Sequence, residues 1–222
     1  MTLESWADAA SKTEQGKVVS FCQVPLPPET TKKFRELSES FWELQEFASP
    51  QFAEAEVIPL LTPTGELDDE GAYRVLMTEA VDAPFEKLLD ALETVFQVKS
   101  IFGSILRCVL VRVKSGKRIY PHIDSTFLGT DHEIYRMQVV SASEKPFYQF
   151  TGSGGEIHEG SPHNNELMRI PRGAIQQESN PGLNDNIHAI VYFQRQTAGE
   201  ELAKMVADRD RKIETAAHKK VY

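Results

Sequence analysis

Cysteine is scarce in this chain. Its 222 residues include two, Cys22 and Cys108, far apart and in no C-x-x-C or Cys/His pair. A disulfide framework and a thiolate zinc site are therefore excluded as organising devices, and a reduced, cytoplasmic protein is the simpler expectation. Positive charge is also in short supply, with 24 Lys and Arg against 33 Asp and Glu and a formal net charge of −9. Such a surface repels phosphate backbones and anionic lipid, so a nucleic-acid partner would need a local basic patch. Long apolar runs are missing as well. No window approaches the roughly 18 apolar residues of a membrane span, and residues 1–17 lack the apolar stretch of a secretory signal. What is present is 41% hydrophobic residues, which suits one globular core in a chain of this length.

Period and punctuation divide the chain. After a polar lead over 1–17, the β-branched stretch from Val18 to Val24 reads as a strand stopped by Pro25, Pro27 and Pro28. Phe34, Leu37, Phe41, Trp42 and Leu44 recur at helical spacing and predict one amphipathic helix from Glu29 to Phe47. Residues 49–72, with Pro50, Pro59, Pro63, Gly65 and Gly71, read as a loop bordering a cleft. A second helix is expected from Pro84 to Phe96, with Phe85, Leu88, Leu89, Leu92 and Phe96 on one stripe.

The period then changes to two. Ser104–Val113 alternates like a half-buried strand, and further strands are expected over 118–123, 134–141, 147–151, 166–170 and 186–194. Helices followed by a run of antiparallel strands make an α+β layout with a barrel or sandwich core. The last stretch, 198–222, is rich in Glu, Lys, Arg and Ala and reads as a charged helix or tail.

Chemistry concentrates in Gly116-Lys-Arg-Ile-Tyr-Pro-His122-Ile-Asp124. An imidazole and a carboxylate two residues apart on a strand point to the same face, so one strand can supply two of the three ligands of a facial triad on Fe(II). An isolated H-x-D is most often a pair of surface residues in a turn, so the neighbourhood has to decide. Two positions after Asn186, His188 faces the same side of its strand; it is either a hydrogen-bonded core histidine beside Ile190 and Tyr192 or a third ligand. His132, His158 and His163 lie in polar loops, with His163 the outside candidate.

Four segments, Leu110 to Asp124, Tyr135 to Val140, Pro171 to Asn180 and Asp185 to Phe193, resemble in order and spacing the aspartyl/asparaginyl β-hydroxylase family of Fe(II)/2-oxoglutarate oxygenases. The resemblance implies a double-stranded β-helix (jelly-roll or cupin-like) barrel over 101–196. Residues 1–100 then form helical and strand support packed on it, and 197–222 a C-terminal helix or tail. It further implies His122 and Asp124 as proximal metal ligands. The family's distal metal histidine falls on Gln176, the arginine that anchors 2-oxoglutarate on Asn186, and the histidine of its Arg-x-His strand on Gln138, while the arginine of that strand is kept as Arg136.

These replacements have chemical consequences. An amide oxygen is a weaker ligand than imidazole for a borderline metal, so His188 is the preferred third donor beside His122 and Asp124. An asparagine in place of a guanidinium loses bidentate, charge-assisted contacts of about 1.5–3 kcal/mol each, so cosubstrate affinity should drop by orders of magnitude. Arg136 is either a remaining carboxylate anchor or the partner of an acidic residue such as Glu178. Two readings follow. One is an Fe(II)/2-oxoglutarate-dependent hydroxylase acting on a small molecule or a protein, with its substrate entering by the loops around 49–72 and 125–133. The other is a degenerate barrel kept as a binding or structural module and needing no cofactor.

Overall fold

Both phases of a period-two pattern are apolar along the central strands, which places a sheet between two cores. The structure is a computed structural model describing residues 19–37, 39–42, 50–67, 73–77, 83–99, 101, 103–123, 132–140, 147–151, 157–160, 163–171 and 173–195. The expected lead, Asp124, the loop 125–131 and the tail from 197 lie outside the described residues.

Eleven strands are described: β1 (Val19–Gln23), β2 (Glu56–Leu67), β3 (Tyr73–Met77), β4 (Gly103–Val113), β5 (Arg118–Ile123), β6 (Glu133–Val140), β7 (Phe147–Thr151), β8 (Ile157–Gly160), β9 (Glu166–Ile170), β10 (Ile175–Ser179) and β11 (Asn186–Arg195). All pairings are antiparallel. They form a seven-stranded sheet in the order β1-β9-β6-β11-β4-β2-β3 and a four-stranded sheet in the order β5-β10-β7-β8. From β4 onward the chain passes back and forth between the two sheets, with only the β7–β8 hairpin staying in one, the arrangement of a double-stranded β-helix. The N-terminal hundred residues do more than pack on the barrel, since β1, β2 and β3 hydrogen-bond into its large sheet.

On β11, Ile187, Ala189, Val191 and Phe193 join the core under the helices, whereas Ile190 and Tyr192 join the core inside the barrel. β4 divides in the same way, Cys108 and Leu110 against Val109, Val111 and Val113. β4 is therefore buried on both faces along most of its length, not half-buried as its alternation suggests. The helical layer comprises α1 (Pro28–Arg35), α2 (Glu39–Trp42) and α3 (Ala83–Val98). α3 buries the stripe read from sequence, Phe85, Leu88, Leu89, Leu92 and Phe96.

Two sequence expectations are corrected. The helix expected over 29–47 is broken, because the chain leaves helical geometry at Glu36 (φ −97°, ψ 8°) and resumes it over 39–42; 38 and 43–47 lie outside the described residues. The break lets Phe34 meet Phe85 edge-on at 5.3 Å while Phe41 stacks on the same ring at 5.1 Å. The supposed loop over 49–72 contains a 3-10 turn at Pro50–Phe52 and then the twelve residues of β2. Proline lacks a ladder donor and is tolerated where pairing is irregular. The register shifts beside both Pro59 and Pro63, and burial of Val57, Ile58 and Leu60 outweighs the breaks.

Arg112 ties this frame together. Its guanidinium grips both Glu39 carboxylate oxygens at 2.7 and 2.8 Å, bonds Glu56 through Nε, and lies 4.6 Å over the Trp42 ring.

Both thiols are free, but they differ. Cys108 is fully buried and burial pushes its thiol up to about 12, whereas Cys22, on the edge strand β1, is half-buried and its thiol is raised by burial against an opposing effect of Lys99. Only Cys108 is fully buried. Since the thiolate is the reactive form, titration of native protein with a thiol reagent at neutral pH is expected to spare Cys108 and modify Cys22 slowly. Both should react in denaturant; rapid reaction of two thiols in native protein would contradict this core.

Candidate active site

A proline sets the aim of the proximal imidazole. Along β5, Ile119 faces the barrel interior, and strict alternation would put Pro121 inside and His122 outside. Gln176 lies opposite His122 and Glu178 opposite Ile119, so three steps on β5 match two on β10. The extra residue is a bulge at Tyr120 and Pro121, where a missing N–H costs nothing to the ladder. The bulge reverses the phase, and Ile119 and His122 both line the cleft between the sheets. His122 is partly exposed, with Nδ1 2.9 Å from the Tyr120 carbonyl oxygen and its ring 5.2 Å from Phe52. Asp124 lies just past the described end of β5.

The register pairing also places Gln176, the residue matching the family's distal histidine, directly across from His122. Gln176 is buried, and its Oε1 accepts a 2.6 Å hydrogen bond from the Tyr148 hydroxyl.

The positions matching the family's cosubstrate residues form a closed polar network. Gln138 donates through Nε2 to the carbonyls of Val140 (2.7 Å) and Ile187 (3.0 Å) and to Asn186 Oδ1 (2.6 Å). Asn186 in turn donates through Nδ2 to Glu178 Oε1. Arg136 Nη1 lies 2.8 Å from Glu178 Oε2, and its guanidinium sits 4.3 Å over the Tyr148 ring. Of the two roles open to Arg136, the structure shows the ion pair with Glu178. Burial pulls the Glu178 carboxyl up, but the charge of Arg136, with hydrogen bonds from Arg136 and Asn186, holds it below its ordinary value.

His188 stands opposite Gln138 in the sheet and is fully buried. Neither ring nitrogen has a hydrogen-bond partner, so it is not the hydrogen-bonded core histidine of the blander reading. Its Nδ1 is 3.5 Å from Glu178 Oε2, and it lines the same cleft as His122. Burial lowers its pKa to about 3; the charges of Arg136 and His122 push the same way and Glu178 pushes back. The ring is neutral at pH 7, the form in which imidazole binds metals. His163 is exposed in the turn before β9 and does not line this cleft.

Tyr148 escapes sequence reasoning altogether, as does Asn180, whose Nδ2 donates to the carbonyls of Val113 (2.8 Å) and Asn184 (2.9 Å), fastening the end of β10 to β4. The segment Pro171 to Asn180 was legible only through the family resemblance.

The two-sheet strand order, with His122 of β5 and polar residues of β6, β10 and β11 lining one cleft, is the decisive architectural feature. The fold is that of the Fe(II)/2-oxoglutarate oxygenases. The chain superposes on an oxidoreductase of the 2OG-Fe(II) oxygenase family from Burkholderia pseudomallei with a TM-score of 0.58 at 14% identity, covering 88% of this chain and 91% of that one. It also superposes on a Pseudomonas putida prolyl-4-hydroxylase (TM-score 0.52, 12% identity, 86% and 98% covered). A third match is the non-heme α-ketoglutarate-dependent epimerase SnoN of nogalamycin biosynthesis (TM-score 0.57, 8% identity, 87% and 84% covered). No protein-family model and no curated protein matches the sequence.

The residues present fit the two implied groups differently. A metal finds a suitable donor in His188, a buried neutral imidazole with both nitrogens unpartnered, in one cleft with His122. Among the described residues no three His, Cys, Asp or Glu side chains already form a metal-holding group, and Asp124 is not among them. A 2-oxoglutarate carboxylate fits poorly: Asn186 is neutral, and the Arg136 guanidinium is engaged by Glu178.

Proposed function

We propose that this protein is an iron-dependent oxygenase of the Fe(II)/2-oxoglutarate type, acting as a hydroxylase, with Fe(II) held by His122, Asp124 and His188. The observation that carries this reading is His188, a fully buried imidazole with no hydrogen-bond partner on either nitrogen. Leaving such groups unsatisfied costs about 1–3 kcal/mol each, and a metal at this cleft would remove that cost for one of the two nitrogens. Gln176, across from His122, is the alternative third donor. When bound, Fe(II) supplies dioxygen activation at open coordination positions. The chain's own part is to exclude water with Ile119, Ile134 and Ile190, and to keep His188 neutral by burial.

The aspartyl/asparaginyl hydroxylases are the proposed nearer kin, on the strength of the four matching segments. A small molecule or a protein side chain is the proposed substrate, in a cytoplasmic setting suggested by two free thiols. Phe52, from the 3-10 turn, borders the cleft and is the proposed first contact, while the neighbouring Glu56–Leu67 is strand and offers no entry loop.

Anaerobic titration of metal-free full-length protein with Co(II), read by its visible ligand-field absorption, tests this reading. His122→Ala and His188→Ala are each expected to weaken binding by about 100-fold, since loss of a ligand matches or exceeds the effect of second-shell changes. Unchanged affinity in His188→Ala would move the third donor to Gln176. Absence of Co(II) and Fe(II) binding at millimolar concentration would remove the oxygenase reading and leave the barrel a binding or structural module.

A further inference from the structure

We infer that Glu178 is an internal carboxylate ligand of Arg136, filling from within the chain the one cationic anion site of the cleft. An external carboxylate therefore enters only by displacing it. Among the described residues lining the cleft, Arg136 is the one Arg or Lys. Glu178 reaches it from the opposite sheet, and both side chains are almost wholly buried. Asn186 completes the arrangement by donating to the other carboxylate oxygen. A planar carboxylate between a guanidinium and an amide N–H is the geometry by which proteins hold carboxylate ligands.

The pairing is also incomplete. Glu178 Oε2 meets the guanidinium through Nη1, at 2.8 Å, while Arg136 Nε has no hydrogen-bond acceptor. A tethered side chain cannot turn to form two parallel bonds with the guanidinium, whereas a free carboxylate can. The chemical class admitted is thus a small carboxylate, and truncation at Glu178 should expose a site for it. This inference rests on the oxygenase reading only in supposing that the natural competitor is the carboxylate of a cosubstrate.

The test uses full-length protein in chelator, so that the outcome of the metal titration does not bear on it. Wild type and Glu178→Ala are melted with increasing sodium formate, against sodium chloride at matched ionic strength and neutral pH. Formate is expected to raise the melting temperature of Glu178→Ala saturably, by several degrees beyond chloride, and to leave wild type unmoved, because a ligand that binds only the folded state stabilises it. Equal responses to formate and chloride in the variant would overturn the inference, as would a saturable formate response of the same size in wild type. If Glu178→Ala does not survive purification, its refolding yield in formate against chloride is the measurement. A formate-dependent gain supports the internal ligand, and equal yields overturn it.

Discussion

Arg136→Met is expected to lower the unfolding free energy by about 3–5 kcal/mol, the cost of stranding one partner of a buried ion pair. Glu178 would remain inside the barrel with 2% exposure. It would keep one hydrogen bond from Asn186 and lose the guanidinium that holds its carboxyl below the ordinary range. Glu178→Leu should be comparably harmful for the opposite reason, since Arg136 would then be an uncompensated cation over the Tyr148 ring. The double variant Arg136→Met/Glu178→Leu replaces both charges by apolar groups of similar size and should recover most of the loss, giving a large coupling in a double-mutant cycle. Urea unfolding with its linear extrapolation reads all four proteins. Additive losses would show that the two side chains do not share one electrostatic site. This experiment also separates stability from binding: the double variant should fold without responding to formate, because it lacks the guanidinium.

How much of this could be read in advance depended on where each strand points. The barrel strands whose inward positions are apolar, such as Phe147–Thr151 with Tyr148 and Phe150 and Glu166–Ile170 with Met168 and Ile170, announce themselves. β10 does not, because its inward residues are Gln176 and Glu178, polar groups that serve the cleft. Burial alternates there but hydrophobicity does not, and only the family resemblance marked that segment. β2 was hidden by prolines that sit at shifts in register. His122 was legible as a candidate ligand, though simple alternation misjudged how it comes to face inward: the bulge at Pro121 does that. The partnership of Arg136 with Glu178 was one of two options on paper. It became definite only when the two sheets brought residues far apart in the chain to 2.8 Å. Tyr148 carried no local signal, since its role is fixed by Gln176 and Arg136 across the barrel.

Acid should destabilise the metal-free protein well before ordinary carboxylates titrate. His188 is held to about 3 in the fold against its ordinary 6.5. Between those values the unfolded chain binds a proton that the folded one refuses, so unfolding becomes easier as pH falls through that window, by several kcal/mol in all. Glu178 adds to the loss at lower pH. Its carboxyl is depressed in the fold, so its contribution is complete above the ordinary carboxylate value and is lost as pH drops through its folded one. The two groups are separable because their windows start at different points. His188→Gln keeps a polar side chain but cannot titrate, and its stability measured in chelator should stay nearly flat from pH 6.5 to 5, where wild type declines. Identical slopes for the two proteins over that interval would mean that His188 is reached by water or shares its proton, and is not the dry imidazole described here. Adding Co(II) should raise wild-type stability throughout that interval, because a metal held by the folded chain stabilises it, and should leave His188→Gln largely unaffected.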